Sequence, residues 1–241
     1  MMENFISRIY LDGFDEDSYL FEIDGLKKFK ELDFTSPITI FTGENGSGKS
    51  TLLEAIAVNW GFNPEGGSKN FNFSTHDTHS PLYSSIRLAK SFRHAKDGFF
   101  FRAESFYNVA SNAQDIGIGI ENGFIEWGGK PSHEQSHGES FLNLVNNRFR
   151  GDGLYILDEP ESALSMQRQL SLMVSLKELA DEGSQIIIAT HSPLLLSLPG
   201  AQIISLDSDS PLEIDYQDSK PYQLLKLFYE DKELLFSKLF D

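Results

Sequence analysis

The sequence predicts an α/β fold with a mainly parallel central sheet flanked by helices. Three apolar segments have the length and β-branched content of buried strands. Each ends in polar residues that would emerge together at the carboxyl edge of an open sheet, where ligands bind in such folds. The first segment also passes through a glycine-rich loop into a helix-patterned stretch.

That first segment is Pro37-Ile38-Thr39-Ile40-Phe41-Thr42, and it enters Gly43-Glu44-Asn45-Gly46-Ser47-Gly48-Lys49-Ser50 before the helical pattern Thr51-Leu52-Leu53-Glu54-Ala55-Ile56-Ala57. The loop is a full match to G-x-x-x-x-G-K-[ST], set between strand and helix as its mechanics require. Its glycines permit backbone conformations that let successive N–H groups face phosphate oxygens, and the helix start adds partial positive charge. The expected ligand is a nucleoside triphosphate. Lys49 would reach its β- and γ-phosphates, Ser50 would place a hydroxyl on Mg²⁺, and Thr51 would be a neighbour of the site.

The second segment, Gly153-Leu154-Tyr155-Ile156-Leu157-Asp158-Glu159-Pro160, is an apolar run closed by two carboxylates, the form of a Walker B strand. A strand buried on both faces reads as such a run. Asp158 would hold Mg²⁺, and Glu159, turned away by strand alternation, would accept a proton from water as general base. The third segment, Ser184-Gln185-Ile186-Ile187-Ile188-Ala189-Thr190-His191-Ser192-Pro193, ends in a histidine suited to contact both the γ-phosphate and the attacking water.

Between the loop and the Walker B strand lies Gln135-Ser136-His137-Gly138-Glu139-Ser140, opening an expected helix from Phe141 to Phe149. This resembles the signature motif of the ABC-type ATPases. In the order phosphate loop, signature, Walker B, D-loop and switch histidine, the resemblance covers nearly the whole chain. It is strongest to small stand-alone bacterial AAA-type ATPases of that class, in the SMC-like and DNA-repair-like branch but without a coiled coil. It implies a P-loop NTPase of ABC-ATPase-like architecture, with an antiparallel β-edge and a small helical subdomain. It further implies ATP and Mg²⁺ as ligands and a homodimer closing head-to-tail, in which Ser136, Gly138 and Glu139 bind the γ-phosphate held by the opposite copy.

The D-loop is Glu161-Ser162-Ala163-Leu164-Ser165, with Ser165 where the family has aspartate. His137 replaces a glycine of the transporter consensus. No glutamine occurs between Lys49 and Gln114, so the family's Q-loop has no obvious counterpart, and Ser74 to His79 occupies the expected region. Tyr19 stands where the family places the aromatic that stacks on adenine. The segments Phe5–Leu11, Tyr19–Ile23 and Ile38–Phe41 are expected in the antiparallel edge.

Composition sets the remaining bounds. At 241 residues and 40% hydrophobic content, residues 1–241 are expected to form a single domain, with a helical lid over 62–132. The absence of cysteine suits a reducing compartment, no apolar run approaches a membrane span, and the start lacks a leader pattern, so a cytoplasmic protein without direct membrane insertion is expected. A net charge of −16 disfavours broad nucleic-acid binding and leaves only a local basic patch for it. Arg87, Lys90, Arg93 and His94 at helical spacing, opposite Leu88, Phe92, Ala95 and Phe99, predict a basic amphipathic helix as that patch or as a docking face for a protein effector. The amphipathic stretch Pro221–Asp241 is expected to pack back on the core, with partner binding as the alternative. Two other roles share these motifs: the nucleotide-binding subunit of an ABC transporter, and an ATP-gated regulatory module of a defence or toxin system.

Overall fold

A computed structural model describes residues 3–13, 18–68, 80–104, 137–210 and 212–240. Among these, five strands form a parallel sheet in the order β5-β6-β7-β3-β8: β5 (Asp97–Arg102), β6 (Gly153–Asp158), β7 (Gln185–Ala189), β3 (Ile38–Thr42) and β8 (Gln202–Ser205). The expected central sheet is thus present, and each of the three motif strands lies inside it.

The continuous apolar runs have a direct cause in this arrangement. Along β6, Leu154 and Ile156 pack into one core while Tyr155 and Leu157 pack into the other. Along β7, Ile187 and Ala189 face the first core and Ile186 and Ile188 the second. Both faces are covered, so alternation produces no polar positions. The first core is closed by α1 (Lys49–Trp60), and the second by α3 (His137–Arg148) and α4 (Met166–Asp181).

A second sheet is antiparallel, in the order β2-β1-β4: β2 (Glu31–Asp33), β1 (Ile6–Leu11) and β4 (Ile86–Lys90). Gln185 bolts it to the parallel sheet, because its side-chain oxygen accepts from the Ile6 N–H at 2.8 Å and its amide donates to the Ile6 carbonyl at 2.9 Å. A buried side-chain amide satisfied at both ends holds the two sheets in one register.

Four expectations are corrected. Tyr19–Glu22 is a 3₁₀ turn, followed by a second at Asp24–Lys28, and Ile38–Phe41 belongs to the parallel sheet, so only Phe5–Leu11 of the three segments contributes to the antiparallel edge. The stretch expected as a basic helix is β4, a loop and β5, after a single helical turn α2 (Leu82–Ser85). Strand pairing to β1 and β6 overrides a helical spacing that three or four charges had suggested. The cations of that stretch are also engaged: Arg87 grips Asp12 with two bonds of 2.9 Å, Arg93 and Lys96 bond Asp152 at 2.9 and 2.6 Å, and Lys90 lies 4.9 Å over the Trp60 ring. Within the expected lid over 62–132, residues 86–90 and 97–102 are thus strands of the two sheets, and 105–132 lie outside the described residues.

The fourth correction concerns the C-terminal stretch. It forms α6 (Lys220–Glu230) and α7 (Lys232–Phe240), with α5 (Pro193–Leu196) preceding them in the chain, and no side chain of either α6 or α7 is buried. Their aromatic residues meet one another instead, as in the Phe228–Phe236 and Phe236–Phe240 ring contacts.

Candidate active site

β3, flanked by β7 and β8, carries the phosphate loop out of the sheet. Gly48 sits at φ 96° and starts α1, and a Cβ there would come within 2.7 Å of Ile23. Only glycine meets both demands without strain. The turn beneath the loop has a similar constraint that the sequence reading missed. A Cβ on Gly25 would lie 2.2 Å from the Ser47 carbonyl and 2.6 Å from that of Leu206. Gly25 therefore lets the Asp24–Lys28 turn support the loop from below.

Asp207 was also missed. It lies two residues beyond β8, much as Asp158 closes β6, and its carboxylate accepts the Glu44 N–H at 2.7 Å, fixing the rim of the loop. The signal was available, since Ile203-Ile204-Ser205-Leu206-Asp207 is a further apolar run ending in an acid. Glu44, Asn45 and Gly46 are exposed at the crest of the loop, and Lys220 at the start of α6 reaches the Glu44 carboxylate at 3.0 Å.

Lys49 is only 4% exposed, and its ammonium donates to the Gly43 and Glu44 carbonyls at 2.8 and 3.0 Å. Burial lowers its pKa, while the carboxylates of Glu159, Asp158, Asp207 and Glu161 act in the opposite direction. An ammonium held by two loop carbonyls among acids is placed to exchange those carbonyls for phosphate oxygens. Ser50 Oγ donates to Asp158 Oδ1 at 2.9 Å. This hydroxyl and carboxylate are hard oxygen donors one hydrogen bond apart, a pair that suits Mg²⁺. Burial pushes the Asp158 carboxyl up to about 6, against the Ser50 hydrogen bond and the Arg102 charge, which lower it. Thr51 follows in the first turn of α1.

Glu159 is not part of β6. Its backbone is left-handed, φ 49° and ψ 52°, and its N–H donates to the Ala189 carbonyl at 2.9 Å. That conformation, uncommon for a residue with a Cβ, turns its side chain out of the strand's alternation. It brings Glu159 Oε1 to 3.6 Å from Nε2 of His191, two residues beyond β7. The D-loop follows as a 3₁₀ turn, Pro160–Ala163, and Ser165 caps α4 by accepting from the Arg168 N–H. Serine serves as well as aspartate at such a cap.

Structure thus brings Lys49, Ser50, Asp158, Glu159 and His191 to one edge of the sheet. Of the signature, Ser136 lies outside the described residues, Gly138 is in the first turn of α3, and Glu139 pairs with Arg168 at 2.9 Å. The helix starts at His137, ahead of the expected Phe141. The Tyr19 ring is 52% exposed, and its hydroxyl donates to Ser80 at 2.7 Å. The Ser74–His79 region considered for a Q-loop is outside the described residues.

A family model described as "AAA domain" matches residues 20–182, more than half of the chain and inclusive of the phosphate loop, Walker B and D-loop. The chain belongs to this AAA-domain family. With the loop and the Walker B pair in place, this AAA-domain protein is a P-loop ATPase of the ABC class, acting on ATP with Mg²⁺. Similar curated proteins include an energy-coupling factor transporter ATP-binding protein of Methanosphaera stadtmanae, 27% identical over 73% of this chain and 68% of its own length. An uncharacterized ABC transporter ATP-binding protein of Haemophilus influenzae is 24% identical over 85% of this chain and 82% of its own. Among solved structures, the SMC head domain from Thermotoga maritima has a TM-score of 0.44 at 17% identity, covering 83% of this chain and 94% of that one. UvrA2 from Deinococcus radiodurans has 0.49 at 16%, covering 85% and 37%. No helix among the described residues is long and apolar enough to cross a membrane.

Proposed function

We propose that residues 1–241 act as one ATPase domain that closes head-to-tail with a second copy over two Mg-ATP molecules and uses hydrolysis to reopen, gating a protein partner. The observation that carries this reading is the Glu159–His191 pair, set at one edge with Lys49 and the Ser50–Asp158 bond. Lys49 would hold the β- and γ-phosphates. Ser50 and Asp158 would hold Mg²⁺, which supplies charge neutralisation across the phosphates when bound. Glu159 would take a proton from water, and His191 would sense the γ-phosphate. Tyr19 would stack on adenine from its half-exposed place. Ser136, Gly138 and Glu139 would serve the opposite copy, and the cytoplasm is the compartment this cycle suits.

Mixing two inactive variants tests the closure. Lys49→Ala should lose ATP binding, and Ser136→Arg should keep binding but block closure by bulk. Their mixture should recover turnover, because a mixed dimer pairs one intact loop with one intact signature. Normal hydrolysis by Ser136→Arg alone would sink the trans assignment.

A second reading, the nucleotide-binding subunit of a transporter, is favoured by the curated relatives, which are transporter ATP-binding proteins. Co-purification with a membrane permease would support it. Arg87 is bound to Asp12, and Arg93 and Lys96 to Asp152, so their charge offers nucleic acid little attraction.

A further inference from the structure

Three observations single out Glu161, in the turn that follows Glu159. Its Oε1 accepts the His191 N–H at 2.8 Å, a bond linking the turn after β6 to the second residue beyond β7. Its Oε2 is buried without a hydrogen-bond partner among the described residues, and so is Nε2 of the same His191. Its negative charge reaches the Lys49 ammonium. Native structures pair nearly all buried polar atoms, and each orphan calls for an explanation such as a water or ligand. Here two orphans sit on residues tied together by one hydrogen bond, beside the base that water activation needs.

We propose that Glu161 is a second acidic residue of the hydrolytic site, one oxygen pinning the His191 backbone and the other accepting a hydrogen bond from the attacking water. The inference rests on the reading of Glu159 as base. Water oxygen attacks the γ-phosphorus, one of its protons passes to Glu159, and the bond from the γ-phosphorus to the bridging oxygen breaks with its electrons leaving on ADP. The second hydrogen, directed at Glu161 Oε2 during attack, remains on the new phosphate oxygen. Two acceptors fix both O–H directions of the water, so a lone pair faces phosphorus. Rigidity comes from Pro160 at the head of the 3₁₀ turn and from the left-handed Glu159 before it.

Glu161→Gln separates the two oxygens. The amide oxygen keeps the pin on His191, whereas its NH₂ group replaces an acceptor by a donor. In the full chain, affinity for a fluorescent ATP analogue should stay within about twofold, amide hydrogen exchange at His191 should stay slow, and kcat should fall by about tenfold to a hundredfold, the range for a hydrogen bond to a charged group. Glu161→Ala should lower kcat at least as far and also speed exchange at His191. Wild-type kcat in Glu161→Gln would overturn the proposal, since a merely structural carboxylate is replaced by the amide without loss. Glu159→Gln is the control. If it is inactive while Glu161→Gln is normal, only the role of Glu161 fails. If Glu159→Gln itself turns over normally, the base lies elsewhere and both assignments fall.

Discussion

The carboxyl edge of the parallel sheet and the C-terminal helix pair look alike as patterned sequence, and they end in opposite places. At the edge, polar side chains emerge from strands whose every residue is buried, so Lys49, Asp158 and His191 are held by a rigid frame. In α6 and α7 the apolar residues Leu224, Tyr229, Leu239 and Phe240 are exposed. An amphipathic pattern says that a face wants cover; it does not say that this chain supplies the cover. Tethering differs too. The helix pair is joined to the nucleotide site through Lys220, which reaches Glu44, Asp209 and Asp207.

Chemistry at the edge is where the largest effect should appear. Glu159→Gln is expected to lower kcat by about a hundredfold to ten-thousandfold, the usual contribution of a general base, with ATP affinity preserved. Steady-state turnover beside analogue binding measures both. A parallel loss of affinity would mean that Glu159 shapes the pocket rather than the reaction.

Packing supplies the next contrast. Leu172 on α4 is fully buried in the second core, so Leu172→Ala should lose about 2–5 kcal/mol in urea unfolding. Leu239→Ser in α7 should stay within about 0.5 kcal/mol. Equal losses at the two positions would erase the distinction between framed and exposed apolar surface.

A smaller effect concerns the far end of the sheet. Burial would raise the Asp97 carboxyl, but hydrogen bonds from Arg148 and Tyr155, with the guanidinium charge, hold it below its ordinary value. A carboxyl lowered on folding stabilises fully above its unfolded pKa, and that stabilisation fades as pH falls through the folded value. Asp97→Asn should therefore lose about 1–3 kcal/mol at pH 7, and the gap to the wild type should narrow below about pH 4. Unfolding midpoints at both pH values decide it; a constant gap would leave the carboxylate's charge without a role.

What the sequence by itself determined about this protein is what depends on short-range covalent order. The loop Gly43 to Ser50 needs its glycines, its lysine and its flanking strand and helix as neighbours in the chain, so spacing alone locates them. The apolar runs of β3, β6 and β7 likewise declare strands covered on both faces. Tertiary structure decided everything that depends on which segment lies beside which. Residues 86–90 have helical charge spacing, yet they pair with β1, because ladder hydrogen bonds to a waiting strand outweigh a weak local preference. Gly25 and Asp207 reach the phosphate loop from distant parts of the chain, and Glu161, in the turn after β6, meets His191 beyond the paired strand β7. An apolar run ending in an acid flags Asp207 as a candidate, but its partner is not written locally, and nothing local marks Gly25 or Glu161, since a glycine or an acid in a turn acquires its role only when folding brings a particular backbone within hydrogen-bond or van der Waals reach.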